Sequence, residues 1–288
     1  MKLIAFRGIY PAIIGICVGV PLAGCDHVFY QPMREIVATP GRLGVEYGEF
    51  PALAPDGQRV AAWWLKASGQ PRGVIVQFHG NGENRSTHMY SVAWLTQENY
   101  HVVTFDYRGY GDSEGIPGRE QAVEDGEAIL RQVLSDPRAE KLPVFVVGQS
   151  LGGAVAIPAI VRAQTHPGAA RIRGLALDST FDSYRSVAGN KFASIWLLWP
   201  FQWVPYLLVS DQLAPRDFAD RIKMPVLAFH AVHDRVVPFE NGKALYGALA
   251  SQDKEFVVVG GSSHTGAFFV EDGIYRTKWL DFMTKHQK

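Results

Sequence analysis

Cysteine is scarce in this 288-residue chain, and both of its cysteines, Cys17 and Cys25, lie near the N-terminus. The rest of the chain therefore has no thiols from which to build disulfide bonds or thiolate metal sites. Because such a domain needs no oxidising compartment, its cysteine content does not distinguish the cytosol from an exported location. The compartment has to be inferred from the N-terminal segment.

An excess of charge of either sign is also missing. Lysine plus arginine and aspartate plus glutamate each total 28, and no run is rich in lysine or arginine. The chain lacks the electrostatic footprint of a nucleic-acid-binding protein, so we expect no nucleic-acid partner. It also has no internal repeat or low-complexity segment. Its 47% hydrophobic and 19% charged content is typical of a folded globular protein, with room for one large domain or two small ones.

The N-terminus resembles a bacterial export signal. Lys2 and Arg7 precede an uncharged, mostly apolar run over residues 8–24, the order of regions found in signal peptides. The run ends in Leu22-Ala23-Gly24-Cys25, which resembles the bacterial lipobox, where a cysteine after small residues is acylated and becomes the mature N-terminus. We therefore predict a lipoprotein signal peptide over residues 1–25.

This prediction makes Cys25 the lipidation site and anchors the protein in a bacterial cell membrane, facing the periplasm or the exterior. Asp26, directly after the cysteine, is associated in some bacteria with retention at the inner membrane, which leaves the choice of membrane open. The alternatives are an uncleaved transmembrane anchor, an ordinary secretory signal and a buried helix. The apolar run is near the lower length limit for spanning a bilayer.

The remaining chain divides into an arm and one domain. Residues 26–41 show little periodicity and contain Pro32 and Pro40, which predicts a tether or N-terminal arm. Over residues 42–288, short apolar runs alternate with longer amphipathic stretches. The predicted strands are Gly44–Phe50, Arg59–Leu65, Gly73–Phe78, His101–Phe105, Val144–Val147, Leu175–Leu177, Val226–Phe229 and Phe256–Val259, and the predicted helices are Thr87–Gln97, Arg119–Leu134, Ala154–Arg162, Glu240–Leu249 and Gly273–Thr284.

This alternation is typical of an α/β fold with a doubly wound, mostly parallel sheet, here of eight strands. Several predicted strands are continuous runs of Val, Ile, Leu and Phe, as expected for strands buried on both faces. The turn sequence Ala54-Pro55-Asp56-Gly57 joins the first two strands, which predicts an antiparallel hairpin at the sheet edge.

A nucleophile candidate lies between a predicted strand and a predicted helix. Gly148-Gln149-Ser150-Leu151-Gly152 has the G-x-S-x-G pattern of a nucleophile elbow in the strand–turn–helix context that the elbow requires. The glycines permit a tight turn, since side chains there would collide with neighbouring elements. The alternative is a glycine-rich turn with a surface serine, which the strand–helix context disfavours.

A serine hydroxyl needs a general base, normally a histidine held by a carboxylate. With this elbow, the acid and then the histidine follow the serine along the chain. His264 follows the last predicted strand, and Asp234 follows the strand before it, so we predict that they complete a triad with Ser150. Asp178, at the end of another strand, is the alternative acid. The histidines that fit less well are His230, His233 and His286.

Two backbone amides are expected to form an oxyanion hole. One is that of Leu151, directly after the nucleophile, and the other comes from the loop His79-Gly80-Asn81 after the third strand. We assign the second donor to the Asn81 N–H. His79 is interpreted as structural.

These motifs together resemble the α/β-hydrolase superfamily and, more narrowly, its serine-aminopeptidase-like branch, which includes membrane-associated acyl-ester and thioester hydrolases. The resemblance rests on the Asn81 loop, the segment from Asp106 to Gly111, the Ser150 elbow, Asp234 and His264. It covers the chain from about residue 46 to the end and implies the α/β-hydrolase fold, with residues 106–111 as a structural turn.

The sequence departs from the family pattern at one point near the predicted mouth of the site. Family members often have a small residue and a glycine after His-Gly-Asn, but this chain has Gly82 and Glu83. The glutamate places a negative charge near the mouth, which disfavours anionic substrates.

A stretch rich in aromatic residues follows the sixth strand. In the family, insertions at this point form a cap, and we place the cap at about residues 181–223, with Trp196, Trp199 and Trp203 as candidates for substrate contact. An apolar cap suits an acyl chain and the aromatic residues could also touch a bilayer. The alternative is that these residues pack on the core, with Pro200 and Pro205 interrupting a helix.

The sequence therefore predicts a serine hydrolase that cleaves carboxyl ester or thioester bonds of a small-molecule acyl substrate through an acyl-enzyme. The chemistry needs no metal or organic cofactor, and we expect none; we also expect a monomer. The alternative enzymatic function is that of a serine aminopeptidase. The non-enzymatic alternative is a surface-anchored binding module. Dehalogenase and epoxide-hydrolase chemistry are disfavoured, because those relatives have aspartate where this chain has Ser150.

Overall fold

A twisted sheet of eight strands organises the computed structural model, which describes residues 29–261, 263–269 and 273–288. The strands are β1 (Tyr47–Glu49), β2 (Ala52–Leu53), β3 (Arg59–Val60), β4 (Ala62–Leu65), β5 (Gly73–Phe78), β6 (Tyr100–Phe105), β7 (Val144–Gln149), β8 (Ile172–Asp178), β9 (Val226–Ala231) and β10 (Lys254–Val259). The helices are α1 (Arg85–His88), α2 (Arg119–Ser135), α3 (Leu151–Ala163), α4 (Tyr184–Ser194), α5 (Val204–Leu208), α6 (Phe239–Ala248) and α7 (Ile274–His286).

The sheet order is β1-β4-β6-β5-β7-β8-β9-β10. Strand β4 runs antiparallel to both neighbours, and every other pair in this sheet is parallel. In the centre, Val76 pairs with Val103 on one side and Val146 on the other. Strands β5, β6 and β7 are buried along their whole length, which is why their sequences are continuous apolar runs rather than alternating ones.

Helices cover both faces of the sheet. Residues of α2, α3 and α6 pack into one apolar cluster, and residues of α7 and of the segment after α1 pack into a second. This arrangement confirms the predicted fold class, an eight-stranded, doubly wound α/β-hydrolase fold. The carboxyl ends of the parallel strands lie at one edge, where the predicted catalytic residues follow β7, β9 and β10.

The antiparallel edge is also confirmed, with one refinement. Strands β1 and β4 pair at the edge, whereas β2 and β3 form a separate two-stranded ribbon. The predicted turn closes that ribbon, since Gly57 N donates to Ala54 O at 2.9 Å.

The helix predicted over Thr87–Gln97 is wrong. The segment consists of the end of α1 and two short 3₁₀ helices, Met89–Ser91 and Ala93–Thr96. Two side chains compete with regular backbone bonding, because Ser91 Oγ donates to His88 O and Thr96 Oγ1 donates to Ala93 O, each at 2.8 Å.

Much of the predicted tether belongs to the domain. Phe29 and Tyr30 are buried in the core, and the following residues run beside the loop after β5, where Gln31 N donates to Asn81 O at 3.1 Å. The Asn84 side-chain amide donates to Met33 O at 3.0 Å. Buried aromatic residues and backbone hydrogen bonds hold this segment in place, so a free tether does not extend over the range 29–41.

The predicted signal peptide and Cys25 lie outside the described residues. Among the residues that are described, no helix combines the length and the apolar character needed to cross a membrane.

In the sequence, helices α4 and α5 lie between β8 and β9. Strand β8 is the sixth strand of the main sheet in chain order. This is the position at which the sequence analysis placed an apolar cap.

Candidate active site

Ser150 occupies a sharp turn between β7 and α3, with φ 53° and ψ −120°. Positive φ is uncommon for a residue other than glycine and costs on the order of 1–3 kcal/mol. Two hydrogen bonds hold the conformation: Ser150 N donates to Asp178 O at 2.9 Å, and Thr180 Oγ1 donates to Ser150 O at 2.8 Å. The strained turn leaves the serine partly exposed at the carboxyl edge of the sheet.

The two glycines of the elbow are required by close packing. A Cβ at Gly148 would lie 2.5 Å from Gly153 Cα, and a Cβ at Gly152 would overlap the backbone carbonyls of Phe78 and His79. Helix α3 therefore packs directly against the end of β5. This contact brings the first turn of α3 beside the loop that contains Asn81.

His264 follows β10, and Asp234 follows β9. Because these two strands are adjacent and parallel, both residues lie at the carboxyl edge of the sheet. Nδ1 of His264 lies 2.7 Å from Oδ2 of Asp234. The Asp234 side chain has no solvent exposure, whereas the His264 side chain is 20% exposed. The structure thus pairs the predicted histidine with the predicted acid and leaves the histidine accessible.

The environment of Asp234 favours its ionised form. Burial alone would raise its pKa, but hydrogen bonds from His264 and from the amides of Val236 and Val237 outweigh burial and lower the pKa. Because an ionised carboxylate only accepts hydrogen bonds, His264 Nδ1 carries the proton in this pair. The other ring nitrogen, Nε2, is then available as a proton acceptor.

The other candidate histidines do not line the cleft that contains Ser150. His230 Nε2 lies 3.0 Å from Val237 O, and burial lowers the pKa of His230. His233 is exposed. His286 lies in α7, with its Nε2 3.6 Å from Asp253.

Asp178, the alternative acid, is fully buried at the end of β8. Its Oδ1 accepts from Ser179 Oγ at 3.3 Å, and its Oδ2 has no partner among the described residues. Burial raises its pKa to about 7, against the lowering effect of nearby His264. The direct carboxylate partner of His264 is thus Asp234, with Asp178 as a second buried carboxyl close by.

A cleft of about 590 Å³ opens at this edge of the sheet, a volume within the range of small-molecule sites. Ser150 and His264 both line it. Further lining residues are mostly apolar and come from several elements: Phe29, Phe181, Val187, Ala188, Phe192, Val236 and Val237. Apart from the histidines, two of the described lining residues have charged side chains. These are Glu83 and Lys191, which carry opposite charges.

Asn81 and Leu151, the predicted oxyanion donors, both line this cleft. Leu151 is the first residue of α3, so its N–H has no carbonyl acceptor within the helix. Two hydrogen bonds hold the backbone at Asn81. Asn81 O accepts from Gln31 N at 3.1 Å and from Tyr110 Oη at 2.6 Å. Asn81 and Leu151 thus lie in the wall of the same cleft as Ser150, and these two hydrogen bonds hold the Asn81 loop.

His79 and the turn after β6 support this loop. His79 is buried, its Nδ1 lies 2.8 Å from Gly80 O, and burial lowers its pKa well below the ordinary value, which keeps it neutral. Tyr107 Oη donates to His79 O at 3.1 Å. In the same turn, the Asp106 carboxylate binds the side chain and amide of Arg85. These contacts are structural, as the sequence analysis interpreted them.

The three cap tryptophans lie outside the cleft. Trp196, Trp199 and Trp203 are 86%, 59% and 55% exposed and are not among the residues that line it. The cap surface of the cleft is formed instead by α4, through residues such as Val187 and Phe192. These tryptophans therefore neither line the cleft nor pack in the core.

Sequence reasoning missed several lining residues. His88 lies in the cleft wall, stacks on His79 with ring centroids 5.3 Å apart, and has Nε2 3.1 Å from Gly82 O. Phe29 was assigned to the tether, and Lys191 to no role. None of them belongs to a sequence motif, and Phe29 and Lys191 contact residues far away in the sequence, Tyr184 and Arg235 respectively.

The chain matches the model of a family described as "Serine aminopeptidase, S33" over residues 69–220. Over 281 residues it is 31% identical to the uncharacterized protein YfhR of Escherichia coli, a match that covers 94% of this chain and 91% of that protein. It is also 35% identical over 206 residues to the lysophosphatidylserine lipase of Danio rerio, covering 67% of this chain and 51% of the lipase.

Among solved structures, an esterase of Pyrococcus furiosus is similar in fold, with a TM-score of 0.71 and 21% sequence identity over 90% of this chain and 98% of the esterase. An acetyl xylan esterase of Thermoanaerobacterium gives a TM-score of 0.62 at 19% identity, covering 84% of this chain and 83% of that one. At such identities the likeness concerns the fold alone.

Proposed function

The chain belongs to the serine aminopeptidase S33 family of α/β hydrolases, and from this membership and the cleft geometry we propose that it hydrolyses acyl esters with Ser150, His264 and Asp234 as its catalytic triad. One observation carries the proposal. An imidazole held by a buried, ionised carboxylate shares a cleft with a serine on a strained elbow. That combination activates a serine hydroxyl.

The proposed reaction has two steps. The Ser150 hydroxyl oxygen attacks the ester carbonyl while His264 Nε2 takes the hydroxyl proton and then passes it to the leaving alcohol. Water next attacks the acyl-enzyme, giving its proton to His264, which returns a proton to Ser150 as the acid departs. Asp234 keeps the proton on His264 Nδ1 and stabilises the imidazolium that forms.

The N–H groups of Asn81 and Leu151 are proposed to bind the negative oxygen of the tetrahedral intermediate. One such donor typically contributes about 3 kcal/mol of transition-state stabilisation, a factor of on the order of a hundred in rate. This contribution depends on a rigid loop. The double support of Asn81 O by Gln31 and Tyr110 is consistent with that requirement.

The apolar wall of the cleft favours an acyl chain over a peptide N-terminus. Phe29, Phe181 and Phe192 offer apolar surface to a fatty acyl group. An aminopeptidase has to bind a protonated α-amino group, and Glu83 is the carboxylate that the described lining offers for it. Aminopeptidase activity is therefore the second candidate, favoured by Glu83 and by the family description.

A substrate panel separates these candidates. We expect the full-length protein to hydrolyse p-nitrophenyl esters and acyl thioesters with kcat/KM at least a hundredfold above that for aminoacyl p-nitroanilides. Ser150→Ala should abolish turnover, while Ser194→Ala, an exposed serine in the cap, should not. Preference for aminoacyl substrates would reject the ester assignment in favour of the peptidase, and no turnover by folded wild-type protein would reject both.

A further inference from the structure

The segment from Ile195 to Leu208 exposes an unusual amount of apolar surface. It contributes nine of the twenty large apolar side chains that are exposed among the described residues, and Trp196 is the most exposed of them at 86%. From Phe192 to Ser210 the sequence contains no charged residue. Soluble monomers rarely expose apolar patches of this density, and such patches mark interaction sites.

The exposed segment adjoins the cleft through α4. One side of this helix lines the cleft with Val187 and Ala188. The other side packs on α5, where a Cβ at Gly189 would lie 2.7 Å from the ring of Tyr206. The apolar surface and the cleft therefore share one short helix as their common wall.

The first described residue lies at the same place. Phe29 lines the cleft, and its ring meets that of Tyr184, the first residue of α4, edge to face with centroids 5.1 Å apart. In the sequence, the uncharged run over residues 8–24 is followed by Cys25, which stands four positions before Phe29. Four residues span at most about 14 Å, so an anchor at Cys25 keeps the cleft wall close to the membrane.

We propose that the segment Ile195–Leu208 is a docking surface for a lipid bilayer, which seats the cap in the interfacial region with the cleft beside the membrane. Three tryptophans and a tyrosine suit this environment, because amphipathic aromatic rings favour the membrane–water interface. The segment lies on the membrane rather than crossing it, since Pro200 and Pro205 interrupt it and its helix α5 has five residues. Docking does not rest on the proposed hydrolysis, so the test uses the inactive Ser150→Ala protein.

Tryptophan fluorescence with brominated lipids tests contact directly. Of the seven tryptophans, Trp63, Trp64 and Trp279 are buried and Trp94 is partly buried, which leaves the three in the cap as reporters. Vesicles of phosphatidylglycerol and phosphatidylcholine with brominated acyl chains should quench full-length Ser150→Ala protein. A variant with Trp196→Phe, Trp199→Phe and Trp203→Phe should remain vesicle-bound but lose that quenching.

A polar variant tests the contribution of the patch. Trp196→Ser, Trp199→Ser and Trp203→Ser together should weaken binding to vesicles at least tenfold when introduced with Cys25→Ser, which removes the predicted anchor. The matched control is Leu53→Ser, Ile116→Ser and Val258→Ser, three apolar residues outside the cap that are more than half exposed, as are the three tryptophans. The control should bind like its parent.

Two results would overturn the proposal. One is vesicle-bound protein whose tryptophan emission is not quenched by the brominated chains. The other is a dimer in sedimentation that dissociates in the triple serine variant, which would assign the patch to a second copy of the chain. Melting temperatures within a few degrees of the parent would show that the variants are folded.

Discussion

His264 donates its Nδ1–H to Oδ2 of Asp234 at 2.7 Å, while the other oxygen of Asp234 accepts from the amides of Val236 and Val237 at 2.8 and 3.0 Å. Both carboxylate oxygens are thus engaged, and the side chain is fully buried. This geometry fixes the tautomer of the imidazole and its orientation toward the cleft that contains Ser150.

Replacing Asp234 with asparagine should reduce kcat/KM for a p-nitrophenyl ester by about 10³- to 10⁴-fold. The amide nitrogen would donate to His264 and impose the wrong tautomer, the effect known for the equivalent change in serine proteases. The control is Asp178→Asn, which should retain at least a tenth of wild-type activity. A larger loss in Asp178→Asn than in Asp234→Asn would transfer the role of the acid to Asp178.

Asp178 should make stability depend on pH. Burial raises its pKa from 3.8 to about 7 in the folded protein, so its contribution to stability is fully present below about pH 4 and is lost as the pH rises through 7. Asparagine resembles the neutral acid. The melting temperature of Asp178→Asn should therefore match wild type at pH 4 and exceed it at pH 8, and a difference that does not change with pH would contradict this account.

Tyr110 should act on catalysis through the Asn81 loop. Tyr110→Phe removes the hydrogen bond from Tyr110 Oη to Asn81 O, and a buried hydrogen bond is worth about 1 kcal/mol. We expect kcat to fall about three- to tenfold with KM nearly unchanged. Tyr246→Phe, which removes the hydrogen bond from Tyr246 Oη to Lys254 O at 3.0 Å outside the cleft, is the matched control and should leave kcat within about twofold. Equal effects on kcat in both variants would indicate a general loss of stability.

The predicted lipid anchor is tested at Cys25. Metabolic labelling with an alkyne fatty acid in a bacterial host should label wild-type protein and not Cys25→Ser. In detergent phase separation, the variant should shift toward the aqueous phase. Cys17→Ser is the control and should behave as wild type. Undiminished labelling of Cys25→Ser would contradict the lipobox interpretation.

If the cap docks on bilayers, the location of the substrate should decide which variants matter. The triple serine variant of Trp196, Trp199 and Trp203 should hydrolyse a soluble acetate ester at the wild-type rate, because these residues lie outside the cleft. Its rate on a long-chain ester embedded in vesicles should fall at least fivefold. An equal fall on both substrates would place the tryptophans in the catalytic cleft instead.

The sequence was sufficient for the features that are encoded locally. All eight predicted strands are present in the main sheet and its edge ribbon, because central strands buried on both faces produce unbroken apolar runs. The elbow at Ser150 could be predicted because its G-x-S-x-G motif is contiguous in the sequence, although the structure shows that Gly152 is also required by a contact with the distant residues Phe78 and His79. His264 and Asp234 were placed by strand order alone.

The missed features depend either on contacts between distant segments or on side-chain hydrogen bonds to the nearby backbone. Nothing in the sequence around Phe29 shows that it packs on Tyr184 and lines the cleft. The segment Thr87–Gln97 has an amphipathic pattern, but hydrogen bonds from Ser91 and Thr96 to the backbone break it into short turns. The exposure of the cap tryptophans, likewise, depends on how α4 and α5 pack together.

The central claim is that Ser150 is an activated nucleophile, and covalent labelling tests it most directly. A fluorophosphonate should modify the full-length wild-type protein once, at the peptide that contains Ser150, as identified by mass spectrometry. Ser150→Ala should remain unmodified, and His264→Ala should react at least a hundredfold more slowly. Folded wild-type protein that fails to react, or labelling that persists in Ser150→Ala, would contradict the account.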